Sequence, residues 1–357
     1  MIKYIGSKRA LLAHILRTVA AAAAPGATVA DLFSGTARVG HALKRAGFRV
    51  LANDHNAYAH ALATCYVQAD AERWAEAARR ILADLNRLPG RPGGWFTETY
   101  CVQSRFFHPS NGERIETIRE AIAALSPEPE LEAVLLTSLL EAADRVDSTA
   151  GLQMAYMKRW AARALKPLEL RLPALLPRPA AGACAALCGE AEAVAAGLDC
   201  DLAYLDPPYN QHSYLRNYHV WETLVRWDRP EVYGVARKRS DCRTRVSAFN
   251  SRPGIGPALE RVVAALRCPT LVVSFNDEGY LPRAALEAML AAHGRHVQVV
   301  EIPYGRYVGA KIGIHNPRGE KVGTVGRLTN TEYLFVASRR RLDLPAATEA
   351  AAAQAAA

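Results

Sequence analysis

The sequence predicts an α/β fold: a mostly parallel sheet with an antiparallel last hairpin and a helical insert. Three observations carry this. Short apolar runs of strand length recur along the chain and most are separated by helical patterns. No helix can be drawn between the last two runs. Residues 65–179, in contrast, contain helical patterns and no convincing strand.

In chain order, TVADLF (28–33) and FRVLAND (48–54) read as the first two strands, each followed by a helical pattern. The insert follows, with amphipathic stretches such as AERWAEAARRILADLNRL punctuated by PGRPGG and SPEPE. ACAALC (183–188), LAYLD (202–206) and TLVVSFND (270–277) return to the sheet. HVQVVEIPY (296–304) and TEYLFVAS (331–338) are joined by GRYVGAKIGIHNPRGEKVGTVGRLTN, which is glycine-rich and basic. A long hairpin adding an antiparallel strand fits that linker better than a crossover. The expected division is a sheet domain of residues 1–64 and 180–341, a helical insert of 65–179, and a low-complexity tail of 342–357.

Composition narrows the partners. The chain has 357 residues, 50% hydrophobic and 22% charged, which is ordinary for a globular protein with one large domain and an insert. Its 44 Lys and Arg against 35 Asp and Glu give a net charge of +9, which favours an anionic partner such as nucleic acid. Seven cysteines without a C-x-x-C pair suggest neither a disulfide framework nor a zinc site, so no metal is expected, and a reduced, cytoplasmic setting is. The apolar stretch at 20–24 is too short to span a bilayer and is stopped by Pro25 and Gly26, so no membrane association is expected.

Chemistry concentrates at YLDPPYNQHSY (204–214). Pro207 and Pro208 remove two backbone donors and fix φ twice, so the turn can continue neither a ladder nor a helix and its carbonyls are left uncommitted. Asp206 closes an apolar strand, where open α/β sheets place ligands. On these residues alone a rigid capped turn and a site are equally supported. In VADLFSGTARVG, Asp31 ends the first strand, and Gly35 and Gly40 bracket a turn that opens a helix and allows close approach of a ligand to the backbone. Asp54 ends the second strand at a spacing suited to a carboxylate on ribose hydroxyls, which points to an adenosine-containing cofactor. A dinucleotide stays open, but without G-x-G-x-x-G a dehydrogenase is the weaker reading.

Together, VADLFSGTARVG, Asp54 and YLDPPYN resemble the DPPY-type N6-adenine DNA methyltransferases of the Dam-like class, in which the cofactor motif precedes the target-recognition region and DPPY. KYIGSK at the N-terminus, DLFSGTA and SFNDEGY extend the resemblance over nearly the whole chain. It departs from the family pattern at Ala37, which stands where a second glycine is usual. The resemblance implies a Rossmann-like methyltransferase sheet, a target-recognition insert, S-adenosylmethionine as methyl donor and double-stranded DNA as substrate. By the same resemblance Tyr4, Gly6 and Lys8 line the methionine end of the cofactor, Phe33 and Gly35 shape its floor, and Asp31 meets its amino group. Asp54 takes the ribose, Glu190 lies near the adenine ring, and Asp206 borders the donor.

Those assignments answer what the diproline turn does. The adenine amine is a poor nucleophile because its lone pair is delocalised into the ring, so a catalyst must hold its hydrogens in acceptors and aim it at the methyl. Asp206 and the Pro207 carbonyl are the two acceptors, Pro208 fixes the turn, and Tyr209 offers a face for stacking. The target must leave the duplex to reach them.

Two basic stretches follow. Arg237, Lys238, Arg239, Arg243 and Arg245 read as a segment that orders on a phosphate backbone. Arg306, Lys311, His315, Arg318, Lys321 and Arg327 add basic groups in the last hairpin, with Lys311 and Arg318 singled out as phosphate contacts. In the insert, Gly151, Tyr156, Lys158 and Arg159 resemble a segment of restriction-modification methylases, which makes a cognate restriction endonuclease a candidate partner. The alternatives are the same chemistry on RNA, cytosine N4 transfer, and a catalytically idle DNA-binding module. No residue pattern sets the oligomeric state.

Overall fold

The computed structural model describes residues 1–305, 314–315, 321–323 and 329–344. Seven strands form one sheet: β1 (Thr28–Asp31), β2 (Arg49–Asn53), β3 (Ala185–Leu187), β4 (Leu202–Leu205), β5 (Thr270–Asn276), β6 (His296–Gly305) and β7 (Thr329–Ser338). Their order is β3-β2-β1-β4-β5-β7-β6. β1 pairs in parallel with β2 and β4, β2 with β3, and β4 with β5. β7 alone runs against them, inserted between β5 and β6. The seven apolar runs thus all become strands, and the final hairpin closes the sheet as its glycine-rich linker suggests. Within that linker the described pieces Ile314–His315 and Lys321–Gly323 pair with each other in a small ribbon. Lys311 and Arg318, and the tail from residue 345, lie outside the described residues.

Ten helices of seven residues or more surround the sheet among the described residues: α1 (Leu12–Ala22), α2 (Arg38–Arg45), α3 (Ala57–Ala63), α4 (Ala71–Asn86), α5 (Pro109–Leu125), α6 (Pro129–Arg145), α7 (Ala191–Gly197), α8 (His219–Arg226), α9 (Arg252–Ala265) and α10 (Arg283–Ala292). The punctuation in the insert becomes helix starts. Pro129 opens α6 from a position where no intrahelical donor is needed, and Glu130 and Glu132 follow in the first turn, where the helix dipole favours anions.

Alternating residues of each strand feed two cores. Val29, Val50, Leu202, Tyr204, Val272 and Leu334 face one side; Ala30, Ala203, Leu205, Leu271, Val273 and Phe335 face the other. A sheet covered on both faces in this way needs apolar residues at consecutive positions, which is why β4 reads LAYL without polar breaks. The insert has no core of its own. Trp74, Leu82, Phe96, Ile115 and Leu135 belong to the same cluster as Val29 and Val50, so the insert extends one face of the sheet. No helix among the described residues is long and apolar enough to cross a membrane.

The strand order reverses direction at β1 and β4. Their C-terminal ends lie side by side, with Asp31 in register with Tyr204, and the crevice between them is the place where an open α/β sheet binds ligands.

Candidate active site

One cavity opens above that crevice, lined by Tyr4, Gly6, Lys8, Asp31, Phe33, Gly35, Asp54, Glu190, Asp206 and Pro208 together with Ser34, Asn56, Tyr214, Ser247 and Phe249. Each residue assigned to the cofactor from the sequence is therefore brought to one place, although the chain supplies them from five separate segments.

The N-terminal motif is fastened to the insert. Lys3 donates from its backbone N–H to Asp144 (3.0 Å) and from its ammonium to Asp147 (2.8 Å), beyond which the chain enters the cavity. There the Tyr4 ring stacks between Tyr214 and Tyr218, with centroids 5.0 and 4.6 Å away, and its hydroxyl meets that of Tyr58 at 3.1 Å. Gly35 packs against that ring: a Cβ on it would lie 3.3 Å from Tyr4 Cε1, and its φ is +52°. Both constraints favour glycine.

Ala37, the departure from the family pattern, adopts φ 59° and ψ 19° and is fully buried. The chain thus keeps a left-handed turn at this position with an alanine, at a conformational cost of roughly 1 to 2 kcal/mol.

The acids divide the work. Asp54 holds the loop: it accepts from the Gly35 N–H at 3.0 Å through Oδ2 and from the Asn56 N–H at 2.9 Å through Oδ1. Asn53 beside it donates to the carbonyls of Leu32 and Gly189, both at 3.1 Å, tying the ends of β1 and β3 together. Asp31 is buried and accepts from Gly40 at the start of α2, at 3.0 Å. Burial, reinforced by the neighbouring Asp206, pushes its carboxyl up to about 7, against the opposing pull of the Gly40 N–H. Glu190 sits at the rim, exposed, and its carboxylate meets His55 Nδ1 at 3.0 Å; its side chain does not cap α7.

Lys8 is buried in the cavity wall between carboxylates. It is 6% exposed and lies 3.1 Å from Asp206 Oδ1 and 3.4 Å from Glu332 Oε2. Burial alone would depress its ammonium, but the two carboxylates overcome this and raise it well above the usual lysine range. Asp206 keeps a 19% exposed side chain at the cavity wall. Burial pushes its carboxyl up to about 6, with Lys8 opposing and Glu332 adding to the rise.

Beyond Asp206, Pro207 is buried and no backbone N–H among the described residues donates to its carbonyl. Tyr209 is half-buried against Phe275, with centroids 5.2 Å apart. Its hydroxyl accepts from Asn276 Nδ2 at 2.9 Å, and its carbonyl accepts from the Tyr280 N–H, also at 2.9 Å. SFNDEGY is therefore the segment that orients the tyrosine of the diproline turn, a use that the sequence left open.

The basic run departs from the sequence expectation. It is folded, with a short ribbon pairing Val232–Tyr233 with Lys238–Arg239 and a 3-10 turn at Ser240–Arg243. Arg239 is 2% exposed and holds Asp228 with two bonds of 2.7 and 2.8 Å and Asp241 with two of 3.1 and 3.0 Å. Arg245 turns inward to Glu222 at 3.0 Å. Arg239 is desolvated with carboxylate partners and is a structural tie, which corrects its assignment as a phosphate contact; Arg245, about a third exposed, commits its guanidinium to the buried Glu222, which stands against the same assignment. Arg243 is exposed, 3.9 Å over the Tyr233 ring, while Arg237 and Lys238 are half-buried. The end of the same run contributes to the cavity, where Phe249 meets Phe33 edge-on at 5.1 Å.

Sequence reasoning missed Glu332, Asn276, Tyr214, Phe249, Ser34 and Asn56. The signal for Glu332 was an acid in an otherwise apolar strand, TEYLFVAS. Ser34 Oγ and Asn56 Oδ1 are buried in the cavity wall and have no hydrogen-bond partner among the described residues, so the wall offers polar atoms to a bound ligand. Among the described residues no His, Cys, Asp and Glu cluster could hold a metal ion.

Comparison with known proteins bears on what this cavity serves. The family model of the D12 class N6 adenine-specific DNA methyltransferases matches residues 4–254. The chain is 29% identical over 319 residues to the type II methyltransferase M.NlaIII of Neisseria lactamica, covering 86% of this chain and 93% of that protein. It is 28% identical over 323 residues to the type II methyltransferase M.FokI of Planomicrobium okeanokoites, covering 85% of this chain but 49% of that protein. It is 27% identical over 322 residues to the type II methyltransferase M.CviAII of Paramecium bursaria Chlorella virus 1, covering 84% of this chain and 90% of that protein. The chain thus spans about half the length of M.FokI and nearly all of the other two.

Proposed function

The chain belongs to the D12 class N6 adenine-specific DNA methyltransferases, and from that premise we propose that it transfers a methyl group from S-adenosylmethionine to an adenine flipped out of duplex DNA, at a fixed sequence, as the modification partner of a restriction endonuclease. The family favours DNA over RNA and adenine N6 over cytosine N4, and it sets aside the nicotinamide reading. The observation that carries the proposal is the convergence of the diproline turn with Tyr4, Asp31 and Asp54 in one cavity.

The cavity fits the donor. Its walls pair aromatic rings, Tyr4, Phe33 and Phe249, with carboxylates at two strand ends and the unpartnered Ser34 and Asn56 oxygens. Asp31 would receive the ammonium of the methionine end, Asp54 the ribose hydroxyls, and Glu190 the region of the adenine ring; Gly6, Gly35 and Phe33 shape the walls between them. When bound, S-adenosylmethionine supplies an electrophilic methyl on a sulfonium. Lys8 engages Oδ1 of Asp206, which leaves Oδ2 to accept from the target amine, and the Pro207 carbonyl accepts its second hydrogen. Pro208 fixes the turn that presents both acceptors. The two acceptors concentrate the nitrogen lone pair and stabilise the positive charge that develops on it, so the work is positioning and electrostatics. Tyr209 stacks on the extruded base and helps to offset the few kcal/mol of unstacking.

The helical insert 65–179 is proposed to carry target recognition, and Arg237, Lys238 and Arg243 to meet phosphates. The test is methylation-sensitive sequencing of DNA from cells expressing the chain. N6-methyladenine at one recurring sequence is expected, and it should vanish with Asp206→Asn. Modification confined to RNA or to cytosine would overturn the proposal.

A further inference from the structure

Glu332 lies on β7, the one strand that runs against the rest of the sheet, opposite Asn276 of β5, and it belongs to none of the motifs. Its carboxylate, 9% exposed, approaches Lys8 at 3.4 Å, while Asp206 approaches the same ammonium at 3.1 Å. One buried cation is thus shared by two carboxylates that come from different ends of the fold. We infer that Glu332 is a positioning residue for methyl transfer: by sharing Lys8, it prevents a one-to-one ion pair from neutralising Asp206 and keeps that carboxylate a strong acceptor for the target amine.

A carboxylate committed to a single buried ammonium has less electron density to offer another donor, and its proton affinity falls accordingly. A second anion on the far side of the ammonium draws that charge away. The groups facing Asp206 are Lys8 from the N-terminal segment, Glu332 from β7, Asp31 from β1, Tyr204 from β4, and Tyr209 and Tyr214 from the turn and helix that follow. Of these Lys8 is the cation, so the division of its charge governs Asp206. The effect of Glu332 on Asp206 has the sign this argument needs: it raises the carboxyl where Lys8 lowers it.

The inference rests on Asp206 as the amine acceptor, and its test separates the two ideas. The full chain, labelled with carboxyl-13C aspartate, is titrated by NMR without DNA or cofactor, with Asp206→Asn identifying the resonance. In Glu332→Gln the Asp206 midpoint is expected to move down by about one pH unit, a tenfold change in proton affinity. Single-turnover methyl transfer should fall about tenfold in parallel, with its acid limb displaced the same way and the affinities for DNA and S-adenosylmethionine held. A midpoint unchanged in Glu332→Gln overturns the inference while wild-type turnover stands. A midpoint that moves in a chain whose wild type transfers no methyl overturns the functional reading and leaves the charge sharing intact. Should Glu332→Gln fail to fold, Glu332→Asp keeps the charge and is expected to leave the midpoint where wild type has it; a displaced midpoint there overturns the inference.

Discussion

Lys8 Nζ lies 3.1 Å from Asp206 Oδ1, so the N-terminal motif and the diproline turn meet as a buried ion pair at the centre of the site. Removing the Asp206 charge without changing its shape should therefore isolate its chemical role. Asp206→Asn is expected to lower methyl transfer by at least about a hundredfold, the scale of losing one preorganised contact to a developing charge. Calorimetry should show S-adenosylmethionine affinity within a few fold of wild type. Lys8 keeps Glu332 as its partner in this variant, so the ammonium is not left unpaired. Near wild-type turnover in Asp206→Asn would sink the mechanism.

The Tyr209 hydroxyl is tied to Asn276 at 2.9 Å, which makes Tyr209→Phe more harmful than a pure stacking role would allow. Loss of one such bond costs roughly 0.5 to 1.5 kcal/mol, or about threefold to tenfold in turnover if the ring alone is displaced. Asn276→Ala should give a matching loss, and the double variant should be no worse than either single one. Tyr209→Ala should fall further, by loss of a stacking platform worth roughly 1 to 3 kcal/mol. Fully additive Tyr209→Phe and Asn276→Ala losses would separate the two residues.

Asp31 predicts a pH signature. Its carboxyl is pushed up to about 7 in the folded chain by burial and by Asp206, whereas an unfolded aspartate titrates near ~4. The folded state binds the extra proton between those values, so the stabilisation is full below about pH 4 and lost as pH rises to about 7. Thermal melts of ligand-free Asp31→Asn should coincide with wild type near pH 4 and lie higher at pH 8. A shallower slope from Asp206, of the same sign and ending near 6, should remain. If the donor's ammonium meets Asp31, its affinity should rise with pH up to about 7, and calorimetry in two buffers should register proton release. A flat affinity profile would remove Asp31 from the donor site.

Within the basic run, stability and DNA affinity should separate by residue. Arg239→Ala removes the buried partner that Asp228 and Asp241 share and leaves them with the more exposed Arg226, and because those acids are partly exposed the cost is roughly 2 to 3 kcal/mol, below that of a fully buried pair. A triple alanine replacement of Arg237, Lys238 and Arg243 should leave the melting temperature close to wild type. It should flatten the slope of log affinity against log salt by roughly 0.9 for each phosphate contact removed. An unchanged slope would show these three to be solvated surface charges.

The strands were legible because burial on both faces demands apolar runs whatever the rest of the chain does. LAYL and TLVVSFN announce themselves locally, and the missing helix before TEYLFVAS was enough to place an antiparallel closing strand. The residue types of the site were legible for a related reason: two prolines after a strand-ending acid, and glycines in a strand-to-helix turn, are restrictions on φ and on backbone donors that a sequence displays directly. Pairings across the chain are another matter. Whether an arginine in a basic run faces phosphate or an internal carboxylate depends on which acid the fold delivers to it, and RKRSDCRTR reads the same in either case; Arg239 and Arg245 found Asp228, Asp241 and Glu222. KYIGSK likewise gives no sign of which acids meet Lys8; the turn after β4 and β7 bring Asp206 and Glu332 to it. The sequence by itself determined the sheet, the glycine turn after β1 and the diproline turn after β4, because those are local requirements of backbone geometry and burial. Only the tertiary structure decided which charges neutralise one another, because Coulomb interactions act over a few ångströms of space without regard to separation along the chain.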